Sequence, residues 1–228
     1  MKNFKKLICI TNDGSSTIFL PDFNEYYHSK YGAVSESEHV FIKNGLYFWK
    51  KKNPNKKYCN IFEVGFGTGL NAFLTYIESK FILNTKLTYS SVEPYPLKLS
   101  EIEKLNYAKN LNDNDRVFDF IHNSKWNAPV QLSKNFTLIK NISTIQNFNI
   151  KINPDIIYFD PFCYRVQPEM WSKKIINQIV SSMSKYSVFV TFSSMNILFD
   201  SLKDLKLNVE KIPGPNKKKK MIRAIKNY

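Results

Sequence analysis

The stretch Asn60-Ile61-Phe62-Glu63-Val64-Gly65-Phe66-Gly67-Thr68-Gly69-Leu70-Asn71 reads as a buried strand running into a glycine-dense turn and then a helix. Glycines at 65, 67 and 69 let the backbone turn tightly and approach a ligand where any Cβ would obstruct it. Outward from this strand, Cys59–Val64, further short apolar runs lie at Leu87–Val92, Phe136–Ile142, Ile156–Phe159 and Ser187–Phe192. Helical patterns fall near Leu70–Ser79, Leu97–Ala108, Pro168–Met183 and Ile197–Leu205. Strands alternating with helices predict βαβ units and a mostly parallel sheet. The tail adds strands Leu207–Ile212 and Lys220–Ile225 around Pro213-Gly214-Pro215, which closes the sheet with an antiparallel hairpin. Residues 58–228 are thus expected to form an α/β domain. Residues 1–57 form an N-terminal extension, with a hairpin over Leu7–Leu20 turning at Asn12-Asp13-Gly14-Ser15 and a helix over Ser35–Lys51 capped by Ser35 or Ser37.

A dinucleotide fingerprint, GxGxxG, would need glycine at 70, where Leu70 stands; the pattern here is ExGxGxG. An acid at the strand end is unwelcome beside a pyrophosphate but suits a cationic or hydroxyl-bearing ligand such as S-adenosylmethionine, with Glu63 near the ammonium of its methionine part. Glu93, after the next strand, can accept hydrogen bonds from both ribose hydroxyls. Five parallel strands followed by an antiparallel hairpin match a Rossmann-like class I S-adenosylmethionine-dependent methyltransferase sheet with helices on both faces. The apolar strand Ile156–Phe159 runs into Asp160-Pro161-Phe162, which resembles the Asp/Asn-Pro-Pro-aromatic loops of amino-group methyltransferases. In such a displacement positive charge appears on nitrogen, so a fixed carboxylate there favours the transition state.

Charge is conspicuous, 33 Lys+Arg against 19 Asp+Glu for a net +14, a field that attracts polyanions. Only Arg116, Arg165 and Arg223 are arginines, in a chain heavy in lysine, asparagine and isoleucine, so part of the excess reflects AT-rich codon usage. A hydrophobic fraction of 43% excludes a disordered chain, and no apolar run approaches the roughly 18–20 residues that cross a bilayer. The apolar run Leu7–Ile10 is too short for a signal peptide. Cys9, Cys59 and Cys163 form no CxxC pair, and His28, His39 and His122 give no metal-ligand spacing. A cytoplasmic chain without metal or membrane is expected.

With these signals in place, the sequence resembles the tRNA 5-methylaminomethyl-2-thiouridine methyltransferases of the MnmC/MnmD type. The likeness is carried by Asp13-Gly14-Ser15-Ser16-Thr17, Tyr27-His28-Ser29-Lys30-Tyr31-Gly32-Ala33, Glu36-Ser37-Glu38-His39-Val40-Phe41, Val64 to Asn71, Val92-Glu93-Pro94-Tyr95-Pro96-Leu97, Tyr158-Phe159-Asp160-Pro161-Phe162, Gln167-Pro168-Glu169-Met170-Trp171 and Pro213-Gly214-Pro215. The resemblance implies methyl transfer from S-adenosylmethionine to the amine of 5-aminomethyl(-2-thio)uridine at the tRNA wobble position. It implies Asp160 and Phe162 as catalytic residues, and Glu63, Gly65, Gly67, Gly69, Asn71, Glu93, Tyr27, Ser29 and Gly32 at the cofactor. His28 and Glu36 are implied at the RNA substrate, with the N-terminal block folded over the pocket; Tyr164, by its place after the Asp160 loop, and Lys217 and Lys218, by their charge, are expected to contact the substrate as well. Trp171 is expected to pack beneath the Asp160 loop, and Asn141 is the nearest candidate for the adenine. The chain departs from the family in having Asp160-Pro161-Phe162 for Asp-Ala-Phe and Asn216-Lys217-Lys218-Lys219-Lys220 for a Gly-Lys-Arg-Glu stretch. No flavin domain fits within these residues, and a monomer is expected.

Three functions stay open on the sequence. The first is the tRNA amine methyltransferase; the second is a methyltransferase or aminopropyltransferase acting on a small-molecule amine. The third is a decayed, non-catalytic RNA-binding relative.

Overall fold

The computed structural model describes residues 4–112, 116–215 and 220–228. Its centre is an eight-stranded sheet in the order β10-β11-β9-β8-β4-β5-β7-β6, preceded by a three-stranded sheet of β1 (Leu7–Ile10), β2 (Ser16–Leu20) and β3 (Glu25–Tyr26). The five middle strands are parallel: β7 (Phe136–Asn141), β5 (Lys86–Val92), β4 (Tyr58–Val64), β8 (Ile156–Phe159) and β9 (Ser187–Thr191). The hairpin β10 (Asn208–Pro213) and β11 (Lys220–Lys226) closes one edge antiparallel to β9. The predicted strand order of elements therefore holds. Two strands have no counterpart in the sequence reading: the short β3, antiparallel to β2, and β6 (Pro129–Ser133), antiparallel to β7 at the far edge of the large sheet. For β6 the reason is plain. Its leading proline and polar, half-exposed residues fit only an edge position, and they give no apolar run to read.

Strand alternation divides the core into two layers. Ile61 and Tyr89 face one side, with α3 (Leu70–Ser79) and α6 (Val117–Asn123), while Phe62, Val64, Ile157 and Phe159 face the other. That second layer is closed by Ile175, Ile176 and Ile179 of α7 (Lys173–Ser182) and by Leu198 and Leu202 of α8 (Asn196–Asp204). Helices thus cover both faces, as purely parallel strands require.

Three predicted helices differ in detail. The helix expected over Pro168–Met183 is interrupted: a 3₁₀ turn Pro168–Trp171 precedes α7, and Ser172 caps α7 by accepting from Ile175 N–H. The helix expected over Leu97–Ala108 is broken into α4 (Leu99–Ile102) and α5 (Tyr107–Asn110). The break lies at Asn106, whose side chain accepts from Ser16 N–H at 2.7 Å and donates to Gly14 O at 2.9 Å. Its backbone N–H donates to Ser16 Oγ, so the residue is spent on holding the N-terminal hairpin. The helix expected over Ser35–Lys51 begins at Ala33 and runs through α1 (Ala33–Ser37), a π-helical stretch Glu38–Tyr47 and α2 (Phe48–Lys52). Neither Ser35 nor Ser37 caps it. Ser35 N–H instead donates to Asp13 of the hairpin turn at 2.9 Å. Burial alone would raise the Asp13 pKa, but hydrogen bonds from Ser15, Ser35 and Thr11 outweigh it and hold the carboxyl at about 2.

The π-helical stretch lies on the sheet at Gly45, where a Cβ would stand 3.0 Å from the Tyr158 ring and 3.1 Å from Val190. Gly45→Val is therefore expected to destabilise the fold by about 1–3 kcal/mol through overpacking. Urea denaturation measures this as a lowered midpoint at unchanged slope, and an unchanged midpoint would show that the helix is not seated there.

Candidate active site

A cavity of about 900 Å³ lies at the carboxyl ends of β4, β5 and β8, where the strand order reverses. Its floor is the turn after β4. Gly65 has φ +93°, and a Cβ there would meet Asp160 O at 2.7 Å, so the tips of β4 and β8 touch only because residue 65 has no side chain. Two backbone bonds lock this junction, Asp160 N–H to Val64 O and Gly65 N–H to Val92 O, each at 3.1 Å. Gly67 faces the Tyr27 ring, and its N–H donates to Glu93 Oε2 at 3.0 Å. Glu93 Oε1 accepts from Tyr95 N–H at 2.8 Å. Burial raises the Glu93 pKa against the pull of these bonds.

Asn71, in the first turn of α3, is the hub. Its Nδ2 donates to Asp160 Oδ2 at 2.9 Å and to Glu63 Oε1 at 3.1 Å. Asp160 is half-buried on the cavity wall, and the backbone after it is pinned on both sides. Phe162 N–H donates to Gln167 Oε1, and Phe162 O accepts from the Trp171 indole, each at 3.0 Å. Trp171 is buried beneath the loop against Phe159, the packing role expected of it. Across the cavity Tyr27 meets Phe162 edge to face, with ring centroids 5.0 Å apart.

The N-terminal segment supplies the opposite wall. His28 hydrogen-bonds Thr17 Oγ1 at 3.1 Å and Thr68 Oγ1 at 3.4 Å, and Ser29 N–H donates to the Glu36 carboxylate at 2.7 Å. His28, Thr68, Ser29 and Glu36 line the cavity with Tyr27, and Thr17 is buried behind them. Burial holds the His28 imidazole at about 4, so it is neutral at physiological pH. A latch missed in the sequence ties this wall to the Asp160 loop. The Arg165 guanidinium donates to Phe23 O at 2.8 Å, Asn24 O at 3.1 Å and Glu25 Oε2 at 2.8 Å, and the Cys163 thiol donates to the same Glu25 oxygen.

Several expected site residues lie elsewhere. Glu63 is fully buried behind Asn71, and neither it nor Gly69, Gly32 or Tyr164 lines the cavity. Gly69 is glycine because a Cβ would meet His122 Nε2 at 2.9 Å on the far side of the turn. At Gly32 a Cβ would stand 2.1 Å from Ser35 Oγ, inside the Asp13 turn. Tyr164 is exposed. Lys217 and Lys218 lie outside the described residues. Asn141, the adenine candidate, does not line the cavity and braces the strand ends, donating to Ser91 O at 2.9 Å; Thr144, Ile145 and Gln146 line the cavity and carry no motif. His39 is structural, its Nε2 bonded to Pro213 O at 2.9 Å. Among the described residues no cluster of His, Cys, Asp or Glu could hold a metal ion, and no helix is long and apolar enough to cross a membrane.

Behind the turn, Lys140 is buried beside the Trp126 ring and donates to the terminal carbonyls of α6, Ile121 O at 2.6 Å and His122 O at 3.0 Å. His122 Nε2 in turn bonds Thr68 O at 3.0 Å. Burial, with the Lys140 charge adding, holds His122 at about 4.

Comparison with known proteins agrees with this arrangement. A family model described as S-adenosyl-L-methionine-dependent methyltransferase matches residues 121–227. The "tRNA 5-methylaminomethyl-2-thiouridine biosynthesis bifunctional protein MnmC" of Leptospira interrogans is 31% identical over 211 residues, covering 88% of this chain and 32% of that protein. Its namesake in Pseudoalteromonas atlantica is 26% identical over 233 residues, covering 93% of this chain and 32% of its own length. The chain thus spans about a third of the length of these relatives. The crystal structure of MnmC2 from Aquifex aeolicus superposes with a TM-score of 0.76 at 22% identity, over 98% of this chain and 71% of that one. A putative class I S-adenosylmethionine-dependent methyltransferase from Listeria monocytogenes superposes at 0.51, with 14% identity, over 86% and 61%.

A histidine of depressed pKa costs stability as the pH falls from about 6.5 in the unfolded chain through the folded value near 4. Relative to His122→Gln, which takes no proton, the wild-type chain is expected to lose about 2 kcal/mol more between pH 7.5 and pH 5. Denaturant unfolding at the two pH values measures the difference, and parallel losses would place His122 in solvent.

Proposed function

We propose that the chain is an S-adenosylmethionine-dependent methyltransferase of the kind its MnmC-named relatives represent, and that it methylates the amine of 5-aminomethyl(-2-thio)uridine at the tRNA wobble position. The observation that carries the reading is Asp160, held by Asn71 at the cavity wall and facing the Tyr27 and Phe162 pair beside the Gly65–Gly67 turn. The residues fit the cofactor. Gly67 lines the cavity opposite the Tyr27 ring, where a Cβ would crowd the ring at 3.3 Å, and Glu93 keeps lone pairs for hydroxyl groups after its bonds to Gly67 and Tyr95 N–H. When bound, S-adenosylmethionine supplies an electrophilic methyl group.

This chain's residues then have distinct tasks. Asp160 accepts an N–H of the substrate amine and stabilises positive charge as it builds on nitrogen. Asn71 keeps that carboxylate from rotating away. Tyr27 and Phe162 form an apolar wall that excludes water and strengthens the charge interaction. His28, neutral and bonded to Thr17 and Thr68, joins the N-terminal wall to the glycine turn as an uncharged neighbour of the amine. The latch from Arg165 to Glu25 closes the cavity over the Asp160 loop. A nucleotide stacked in a helix has no access to such a recess, so the wobble base enters flipped out. The net charge of +14, including the lysine run 217–220, attracts the tRNA backbone without reading its sequence. We further read residues 1–57 as a cover over the cofactor, and the protein as a cytoplasmic monomer; its three cysteines are free thiols.

Asp160→Ala is expected to abolish methylaminomethyluridine formation on tRNA from cells lacking the gene, while S-adenosylhomocysteine binding by calorimetry stays within roughly fivefold. Equal loss of both would make Asp160 structural, and unchanged methylaminomethyluridine in gene-deleted cells would end the tRNA reading. Changing Lys217–Lys220 to glutamine is expected to weaken tRNA binding and reduce the log–log salt slope by about 0.7–0.9 per lost phosphate contact. An unaltered slope would assign the run to solvent.

A further inference from the structure

Glu63 is the one carboxyl group of the site that never reaches the cavity. It lies on β4 on the face against α3, opposite Ser91 of β5 and Tyr158 of β8 in the strand register. Tyr89, two residues before Ser91 on the same face, also stands beside it. Its hydrogen-bond partner is Asn71, whose single amide nitrogen binds Glu63 Oε1 and Asp160 Oδ2 together. Two atoms of this pair remain buried without a partner, Glu63 Oε2 and Asn71 Oδ1. With Glu63 ionised both are acceptors, and neither can satisfy the other. The hydroxyls of Tyr89, Ser91 and Tyr158 beside it are buried without a partner as well, and the charged groups that act on Glu63 are the carboxyls of Asp160 and Glu93, so the groups around it are neutral or negative.

The charged and titratable groups facing Glu63 point the same way. Asp160 and Glu93 are carboxyls, while Tyr89 and Tyr158 are buried phenols. Burial pushes the Glu63 carboxyl well above the usual carboxylate range, and the Asp160 charge adds to this. Two ionised carboxyls, one of them fully buried, cannot share one amide at low cost, whereas one acid and one carboxylate can.

We propose that Glu63 is a protonated positioning residue and not the partner of the cofactor's ammonium group: it fixes the Asn71 amide and, through it, the Asp160 carboxylate that meets the substrate amine. This rests on the role given to Asp160 above. A neutral Glu63 also leaves the full negative charge of the pair on Asp160, next to the nitrogen.

Glu63→Gln keeps the shape and neutrality of the acid in the full-length chain. It is expected to bind S-adenosylhomocysteine within roughly threefold of wild type and to keep kcat on unmethylated tRNA within roughly fivefold. Glu63→Ala, which releases the Asn71 amide, is expected to lose at least roughly tenfold in kcat at the same S-adenosylhomocysteine affinity. Difference infrared spectra of wild type against Glu63→Gln at neutral pH should show the carbonyl band of a protonated carboxylic acid, without any turnover. A carboxylate band in its place overturns the proposal, as does a roughly tenfold loss of S-adenosylhomocysteine affinity in Glu63→Gln. Where Glu63→Ala does not fold, the glutamine variant and the infrared band decide. Activity surviving in Asp160→Ala would remove the catalytic reading alone and leave the protonation result standing.

Discussion

The contact on which the candidate site is built lies between two strand ends. Residue 65 sits so near Asp160 O that a Cβ would overlap it, and this approach brings the turn after β4 and the loop after β8 into one wall. From that junction the other features follow. Asp160 N–H and Gly65 N–H are both consumed in bonds to neighbouring strand tips, so the loop and the turn cannot move independently. Asn71, emerging from the turn, is then within reach of both Glu63 and Asp160. A sheet whose switch point lies between β4 and β8 supplies the crevice, but only a glycine at the contact lets it close into a site.

The alternation of apolar runs and helices made the sheet legible, because buried parallel strands leave a continuous hydrophobic record and tolerate little else. What it did not show were elements decided by distant partners. Asn106 gives no sign in its own neighbourhood that it will be claimed by Ser16 and Gly14, yet that clamp splits the helix expected there. The edge strand Pro129–Ser133 is held by pairing with β7 and has no pattern of its own. In the site, the glycine turn, Glu93 and Asp160 were visible as residues because each occupies a strand end where chemistry is read off identity. Position relative to the cavity was not. Glu63, Gly69 and Gly32 are all required by their surroundings, but those surroundings are an amide, a histidine and a turn behind the wall.

The same distinction separates the two classes of cation. Lysine fills the surface of this chain, so its abundance marks no site by itself. Arginine is scarce, and at two of its three positions, Arg165 and Arg223, the geometry uses a planar fork. Arg165 bonds two backbone carbonyls and a carboxylate with two of its nitrogens. Arg223 lies 3.6 Å from the Phe48 ring centroid while its Nε and Nη2 both reach Glu210 and its Nη1 reaches Asn44. A lysine ammonium can neither stack flat on a ring nor span those acceptors. Against a lysine-rich background, the rarity of arginine was itself the signal for the latch, and charge totals hid it.

The latch also explains how one cavity can take two ligands of different character. Its inner end is built from backbone and carboxyl groups at fixed strand tips, which suits a ligand recognised by hydroxyl and ammonium groups. Its outer wall is the N-terminal segment, held to the Asp160 loop by a guanidinium and a thiol converging on Glu25. Those bonds are exposed on the Arg165 side, so water competes for them and each is worth little alone. The inner end, by contrast, is fixed by the Asp160 to Val64 and Gly65 to Val92 backbone bonds, which solvent does not reach in the same way. Under the proposed function, the division puts rigidity where the transition-state charge would form and yielding contacts where a nucleotide would pass, which is the arrangement that a reaction on a flipped base requires.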